Sequence, residues 1–180
     1  MRYRRAQIKG GTYFFTLTTF YRKKILTYPQ NVEILRKAIR YVMSNHFFTI
    51  NAFVLLPDHL HCIWTLPEND YDFSTRWRLI KSYFTREYTK KFKSVPTKLK
   101  KNKKEQTIWQ RRFWEHLIRS EEDMISHVEY IHYNPVKHGL ASAPKEWKYS
   151  SFHRYVKEGV YNNEWGTGYE IDFYKKIGKE

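Results

Sequence analysis

The chain has 180 residues, with 33 Lys or Arg against 18 Asp or Glu and a net charge of +15. That length holds one domain with a real core, and an aromatic content of 18 % supplies the apolar bulk. The charge points to a polyanionic partner, because protein cations displace counterions from phosphates, and the absence of a long apolar run or amphipathic anchor argues against a membrane. A single cysteine, Cys62, rules out an intrachain disulfide framework and suits a reducing cytoplasm. No apolar signal-peptide core follows the basic start Met1 to Arg5.

After Gly10-Gly11, residues Thr12 to Phe20 are rich in β-branched and aromatic side chains and are expected to form a first strand. From Asn31 to Asn45, Val32, Leu35, Ala38, Ile39, Val42 and Met43 follow helical spacing, with Asn31 as the expected N-cap. Phe47 to Leu56 and His59 to Leu66 read as strands two and three, turned by Pro57-Asp58. A second helix is expected from Phe73 to about Lys93. Residues 98–104 hold five lysines in seven positions, a solvated loop that also suits phosphate contacts. Thr107 to Ile118 is expected as a fourth strand. Ser120 then caps a helix whose first turn is acidic, and which Pro135 should end near Asn134. Trp147 to Tyr155 is aromatic and basic. Residues 156–180 carry four Lys and five Asp or Glu, a charge of −1, which leaves +16 on residues 1–155. The expected organisation is therefore one domain over 1–155 and a C-terminal tail over 156–180.

Strand, helix, strand, strand, helix, strand is the order of a ferredoxin-like (RRM-like) α+β domain, an antiparallel sheet with helices on one face. The other face is the one many nucleic-acid binders use.

Two groups of residues carry chemistry. His59-Leu60-His61 opens strand three, and alternation puts both imidazoles on one face with Leu60 and Cys62 on the other. Two imidazoles on a rigid strand make half of a metal site, or else a pair of half-buried histidines. On the helix after Ser120, a turn angle of about 100° per residue groups Met124, Ile125, Val128, Ile131 and His132 as a core stripe. Asp123, His127, Tyr130 and Asn134 form a second stripe, with Tyr130 and Asn134 adjacent at a spacing of four. Tyr133 is a rival to Tyr130. Asn134 reads alternatively as a C-cap, His127 as a solvated histidine, Asp123 as a first-turn acid and Asp58 as a turn residue. Glu115 and His116 receive no chemical role.

His59-Leu60-His61 resembles the HUH motif, and Tyr130-Ile131-His132-Tyr133-Asn134-Pro135 resembles the tyrosine-helix motif of single-tyrosine transposases. The wider segments LLPDHLHCIW, WQRRFWEHLIRSEEDM and YIHYNPVKHGL look like the REP-associated tyrosine transposases of the HUH endonuclease superfamily, over roughly residues 8 to 155. The resemblance implies an HUH endonuclease fold and a divalent metal, Mg²⁺ or Mn²⁺, held by His59, His61 and Asn134. It implies Tyr130 as nucleophile, attacking single-stranded DNA to leave a 5′-phosphotyrosine and a free 3′-OH. The implied substrate is a hairpin with a single-stranded guide, drawn from repetitive extragenic palindromes, and the implied state is a monomer, with a homodimer as alternative. Candidate phosphate contacts are Arg4, Arg5, Lys9, Lys98, Lys100, Lys101, Lys103, Lys104, Arg111, Arg112, Lys148 and Arg154. Three other functions fit parts of the pattern: a non-catalytic nucleic-acid-binding module, a replication initiator or relaxase, and a zinc hydrolase. The last would want a third His or acidic ligand and a helix-borne base, and the chain has no HExxH.

Overall fold

The computed structural model describes residues 7–92 and 108–171. Strands β1 (Thr12–Thr18), β2 (Thr49–Leu55), β3 (His59–Thr65) and β4 (Trp114–Leu117) form one sheet in the order β2-β3-β1-β4. All three pairings are antiparallel. With helices α1 (Pro29–Asn45) and α2 (Phe73–Phe92) between the strands, this is the expected ferredoxin-like α+β arrangement.

The pleat divides the sheet's side chains between two cores. Tyr13, Phe15, Leu17, Leu60, Cys62 and Trp64 face α1 and α2, where Trp64 stacks on Trp77 at 4.0 Å. Phe14, Ala52, Val54 and Ile63 face the other way. That second face is not open. Helix α3 (Glu121–Lys137) lies against it through Val128, Tyr130, Ile131 and Tyr133. β3 is consequently buried on both sides along six of its seven residues, which is why it reads as nearly continuous apolar sequence apart from its histidines.

Several boundaries differ from the sequence expectation. β1 stops at Thr18, because Tyr21 and Arg22 turn the chain with φ of 54° and 49°. The cap of α1 is Tyr28, with Pro29 opening the helix, and Asn31 is buried, donating to the Ile25 carbonyl at 2.7 Å. The fourth strand shrinks to four residues. Trp109 makes only an isolated bridge to Thr19, and the segment between is held by Lys81, whose ammonium donates to the carbonyls of Gln110 (2.6 Å) and Arg111 (3.3 Å).

α3 runs through Pro135 to Lys137 instead of stopping at Asn134. Proline removes one helical N–H, but the end is closed by other bonds. Gly139, at φ +65°, donates to Val136 O and Leu140 donates to Pro135 O, the paired bonds of a Schellman ending. Asn134 is thus inside the helix and is not its cap. A short helix α4 (Phe152–Lys157) follows, and residues 149–151 pair with the β2 edge through Leu55 N–H to Tyr149 O and Ser151 N–H to Phe53 O. Beyond it, Tyr161, Trp165 and Ile171 pack on the α3 core. Among the described residues no helix is long and apolar enough to cross a membrane.

Burial lowers the Lys81 pKa from 10.5 to about 8. Between those values the unfolded chain binds more protons than the folded one, so this lysine makes stability rise with pH across that window. Urea unfolding at pH 8, 9 and 10 should show wild type gaining on Lys81→Met, by at most about 1.4 kcal/mol per pH unit. A pH-independent difference between the two would overturn the assignment.

Candidate active site

His59 and His61 share the α3-facing side of β3, their rings 5.0 Å apart and near perpendicular. Each is gripped at Nδ1. His59 Nδ1 lies 2.6 Å from Asp58 Oδ1, and His61 Nδ1 lies 2.9 Å from Thr16 Oγ1 on the adjacent strand. A partner at Nδ1 is the arrangement in which Nε2 serves as metal ligand, and a carboxylate in that place strengthens the imidazole as a donor. Burial, followed by the charges of His59, His138, Lys137 and Arg22, drives the His61 pKa well below its ordinary 6.5. The ring is neutral at physiological pH, as ligation requires. At Asp58 burial raises the pKa, but the hydrogen bond and charge of His59, then those of Arg22, outweigh it and leave the carboxyl lowered.

α3 brings the second half. The Tyr130 ring meets His61 at 5.4 Å and Phe14 at 6.1 Å. Lys137, two turns further on, donates from Nζ to Tyr130 Oη at 3.0 Å. Asn134 is fully buried, and among the described residues neither its Oδ1 nor its Nδ2 has a hydrogen-bond partner. A buried amide left unmatched costs about 1–3 kcal/mol, so this side chain is not there for stability. Its oxygen, one turn from Tyr130 on the same helix, has the donor chemistry of a third metal ligand.

Comparison with known proteins fits this geometry. Residues 7–134 match the family described as "Transposase IS200 like". The chain is 47 % identical over 171 residues to the REP-associated tyrosine transposase of Escherichia coli (strain K12), covering 95 % of this chain and 93 % of that protein. It is 44 % identical over 165 residues to a putative REP-associated tyrosine transposase of Haemophilus influenzae (strain ATCC 51907 / DSM 11121 / KW20 / Rd), covering 91 % and 92 %. A solved REP-associated tyrosine transposase, bound to a REP hairpin, superposes with a TM-score of 0.81 at 45 % identity, covering 100 % of this chain and 98 % of that one. The chain belongs to the REP-associated tyrosine transposases.

Within this transposase, the other predicted site residues fall in three groups. Arg4, Arg5, Lys98, Lys100, Lys101, Lys103 and Lys104 lie outside the described residues. Lys9, Arg111, Arg112, Lys148 and Arg154 are exposed. Lys148 and Arg154 rim a groove along β2 together with Arg36 and Arg40, and Arg154 also donates to the carbonyls of Ile50 and Asn51. The helix stripes need correction. Ile125, expected in the core, is 48 % exposed, whereas His127, expected to be solvated, is 2 % exposed. Val128, Ile131 and His132 of the expected core stripe are buried along with His127, Tyr130 and Asn134, so both stripes turn inward, because α3 lies across the sheet and is flanked on its other side by residues 143–171.

Four contributors escaped the sequence reading. Lys137 and His138 lay beyond the proline taken as a helix stop, and His138 reaches His59 at 5.0 Å. Thr16 and Phe14 carried no signal, since cross-strand register alone puts Thr16 opposite His61. Asp58 does more than turn the chain. Tyr133 is drawn away from the group: its hydroxyl donates to Tyr169 O at 3.0 Å. His116 and Asp123, with His127, converge in a separate cluster at the start of α3.

If Asn134 is held for ligation, Asn134→Leu should not destabilise chelator-treated protein, and its melting temperature should equal or exceed that of wild type. A large drop in that measurement would mean the amide has a structural partner.

Proposed function

We propose that this chain cleaves and rejoins single-stranded DNA beside REP-type hairpins, forming a 5′-phosphotyrosine on Tyr130 with a divalent ion, Mg²⁺ or Mn²⁺, held by His59, His61 and Asn134. The observation that carries the reading is Tyr130 set between the His61 ring, 5.4 Å away, and the Lys137 ammonium that hydrogen-bonds its hydroxyl, with both histidines gripped at Nδ1 and the Asn134 amide, unmatched among the described residues, one turn along the same helix. The family match and the relative bound to a REP hairpin support it. Two imidazoles in the donor set favour Mn²⁺ over Mg²⁺, which prefers oxygen.

A phenol with pKa about 10 is a poor nucleophile at neutral pH. The Lys137 ammonium, 3.0 Å from Tyr130 Oη, stabilises the phenolate. Tyr130 Oη then bonds to phosphorus as the P–O3′ bond breaks, and the electron pair leaves on the 3′ oxygen, which takes a proton. When bound, the ion supplies Lewis-acid stabilisation of the charge on the phosphate oxygens. Attack of a 3′-OH on the phosphotyrosine reverses the step and rejoins the strand without ATP, because the link conserves the phosphodiester energy.

Hairpin phosphates would meet the basic candidates, Lys9, Arg111, Arg112, Lys148 and Arg154 among the described residues. Beside the histidines, Arg22 reaches Asp58 at 3.4 Å and Tyr21 is 80 % exposed in a left-handed conformation uncommon outside glycine. We assign that loop to base stacking and phosphate contact on the scissile strand. The catalytic domain is read as residues 1–155 acting as a monomer, with 156–180 as a tail whose Tyr161, Trp165 and Ile171 pack on α3.

The test uses a hairpin substrate labelled at either end, incubated with Mn²⁺ and resolved on denaturing gels. A covalent adduct should appear only on the fragment 3′ of the cut and vanish in Tyr130→Phe. An adduct surviving in Tyr130→Phe would move the nucleophile to Tyr133. Tight hairpin binding with no adduct under any metal would leave a binding module.

Lys137→Met should slow single-turnover adduct formation by about 10- to 100-fold, the worth of one hydrogen bond to a charged group, with hairpin affinity changed only a few-fold. A variant that loses affinity but keeps its rate would make Lys137 a phosphate contact instead.

A further inference from the structure

A second cluster of metal-binding side chains lies at the start of α3. His116 sits on β4 opposite Phe14, and Asp123 and His127 occupy the first two turns of α3, four residues apart. His116 Nε2 lies 3.0 and 2.9 Å from the two Asp123 oxygens, and His127 Nδ1 lies 2.9 Å from Asp123 Oδ1. One nitrogen from each ring and a carboxylate oxygen all fall within 4.8 Å of one another. We propose that His116, Asp123 and His127 bind a transition-metal dication of the Zn²⁺, Co²⁺ or Mn²⁺ class, separate from the ion assigned to His59, His61 and Asn134.

Three observations carry this. The donor set of two imidazoles and one carboxylate is that of a transition metal, with too few oxygens for Mg²⁺ or Ca²⁺. The spacing is close to what a metal needs. Ligand bonds of about 2.0–2.1 Å at tetrahedral zinc put donor atoms roughly 3.3 Å apart. The two carboxylate–imidazole pairs need to open by only a few tenths of an ångström, and the two imidazole nitrogens, within 4.8 Å of each other, need to close by at most about 1.5 Å. The third is that His127 is an enclosed imidazole with Nδ1 turned to Asp123 and its other nitrogen unmatched. His127 is 2 % exposed, and its Nε2 is buried without a partner among the described residues, although Nδ1 lies 2.8 Å from the Asp123 carbonyl.

The site is open where a metal's remaining ligands would enter. The His116 and Asp123 side chains are 33 % and 21 % exposed, leaving room for water in the vacant coordination positions. Its walls are set by packing. The two imidazoles stack at 4.6 Å with planes 13° apart, and Trp114 stacks in turn on His116. Ser120 Oγ caps the helix by accepting from Asp123 N, and Arg119 N–H donates to Asp123 Oδ2. The carboxylate is therefore positioned before any metal arrives.

The site's place in the fold gives it a function. Its ligands join β4 to the first turns of α3, and Tyr130 follows His127 by three residues on the same helix face. Phe14 lies between the two groups, meeting His127 at 4.9 Å and His61 at 5.5 Å. A bound ion fastens the nucleophile's helix to the sheet and acts as a positioning element. Metal binding itself is independent of the reading of Tyr130; only its effect on cleavage rests on that reading.

The experiment titrates chelator-treated full-length protein with Zn²⁺ by calorimetry and with Co²⁺ by visible absorption. Wild type should bind two equivalents. The double variant His59→Ala/His61→Ala should keep one, with a ligand-field spectrum, and with a melting temperature raised by Zn²⁺. Adding His116→Ala to that background should abolish binding, spectrum and shift. Adding Asp123→Asn, which preserves size, should weaken binding at least tenfold. The proposal is overturned if the double variant binds no metal, or if its remaining equivalent survives both additions. A single wild-type equivalent that is lost with His116 but survives loss of His59 and His61 would support this site and overturn the first one.

Discussion

Everything distinctive about this molecule depends on α3 lying flat on the second face of the sheet. The contact is apolar at its centre, where Val128 and Ile131 meet Phe14, Ala52, Val54 and Ile63. Burying each such side chain contributes about 1.5–3 kcal/mol. That surplus offsets the cost of carrying polar groups inward with the helix. The Asn134 amide and the His127 Nε2, both unmatched among the described residues, and the desolvated ring of His61 would each weigh against a free-standing domain. Their concentration under one helix is the signature of a site whose geometry is kept at the expense of stability.

The same docking explains why the helix continues past Pro135. Had it ended at the proline, Lys137 would not lie over the Tyr130 ring, 4.5 Å from its centroid, nor donate to its hydroxyl. The Schellman closure at Gly139 satisfies the last carbonyls and frees the following chain to turn back toward the sheet edge. There, residues 149–151 extend β2, and Trp147 Nε1 donates to Leu55 O at 2.9 Å. The segment after the tyrosine helix thus braces the sheet that carries the histidines. His132 completes the brace, with its Nε2 2.7 Å from Ser151 Oγ, and burial drives its pKa down to about 3, so it packs as a neutral ring.

The two histidine clusters share a wall in Phe14. One draws on β3 and the middle of α3, the other on β4 and the start of α3. Because β1 pairs with both β3 and β4, a single strand sets the spacing of the two groups. Thr16 grips His61 from that strand, two residues from Phe14, on the same face. A one-residue slip of β1 would exchange Phe14 and Thr16 for Tyr13 and Phe15 and dismantle both clusters at once.

The sequence by itself determined the order of elements, the shared face of His59 and His61, and the pairing of Tyr130 with Asn134 on one helix stripe. Each follows from a local period, two residues for the strand and 3.6 for the helix, which any stretch carries without knowing its neighbours. It also carried the family, through the histidine and tyrosine motifs and the segments around them. What only the tertiary structure decided was what those faces meet. How much of α3 turns inward, whether Pro135 stops the helix, and that Thr16, Lys137 and His116 surround the motifs are consequences of strand register and helix docking. Those depend on contacts between residues 7 to 45 or more positions apart, as with Lys137 on Tyr130 and Thr16 on His61, and no local period encodes them.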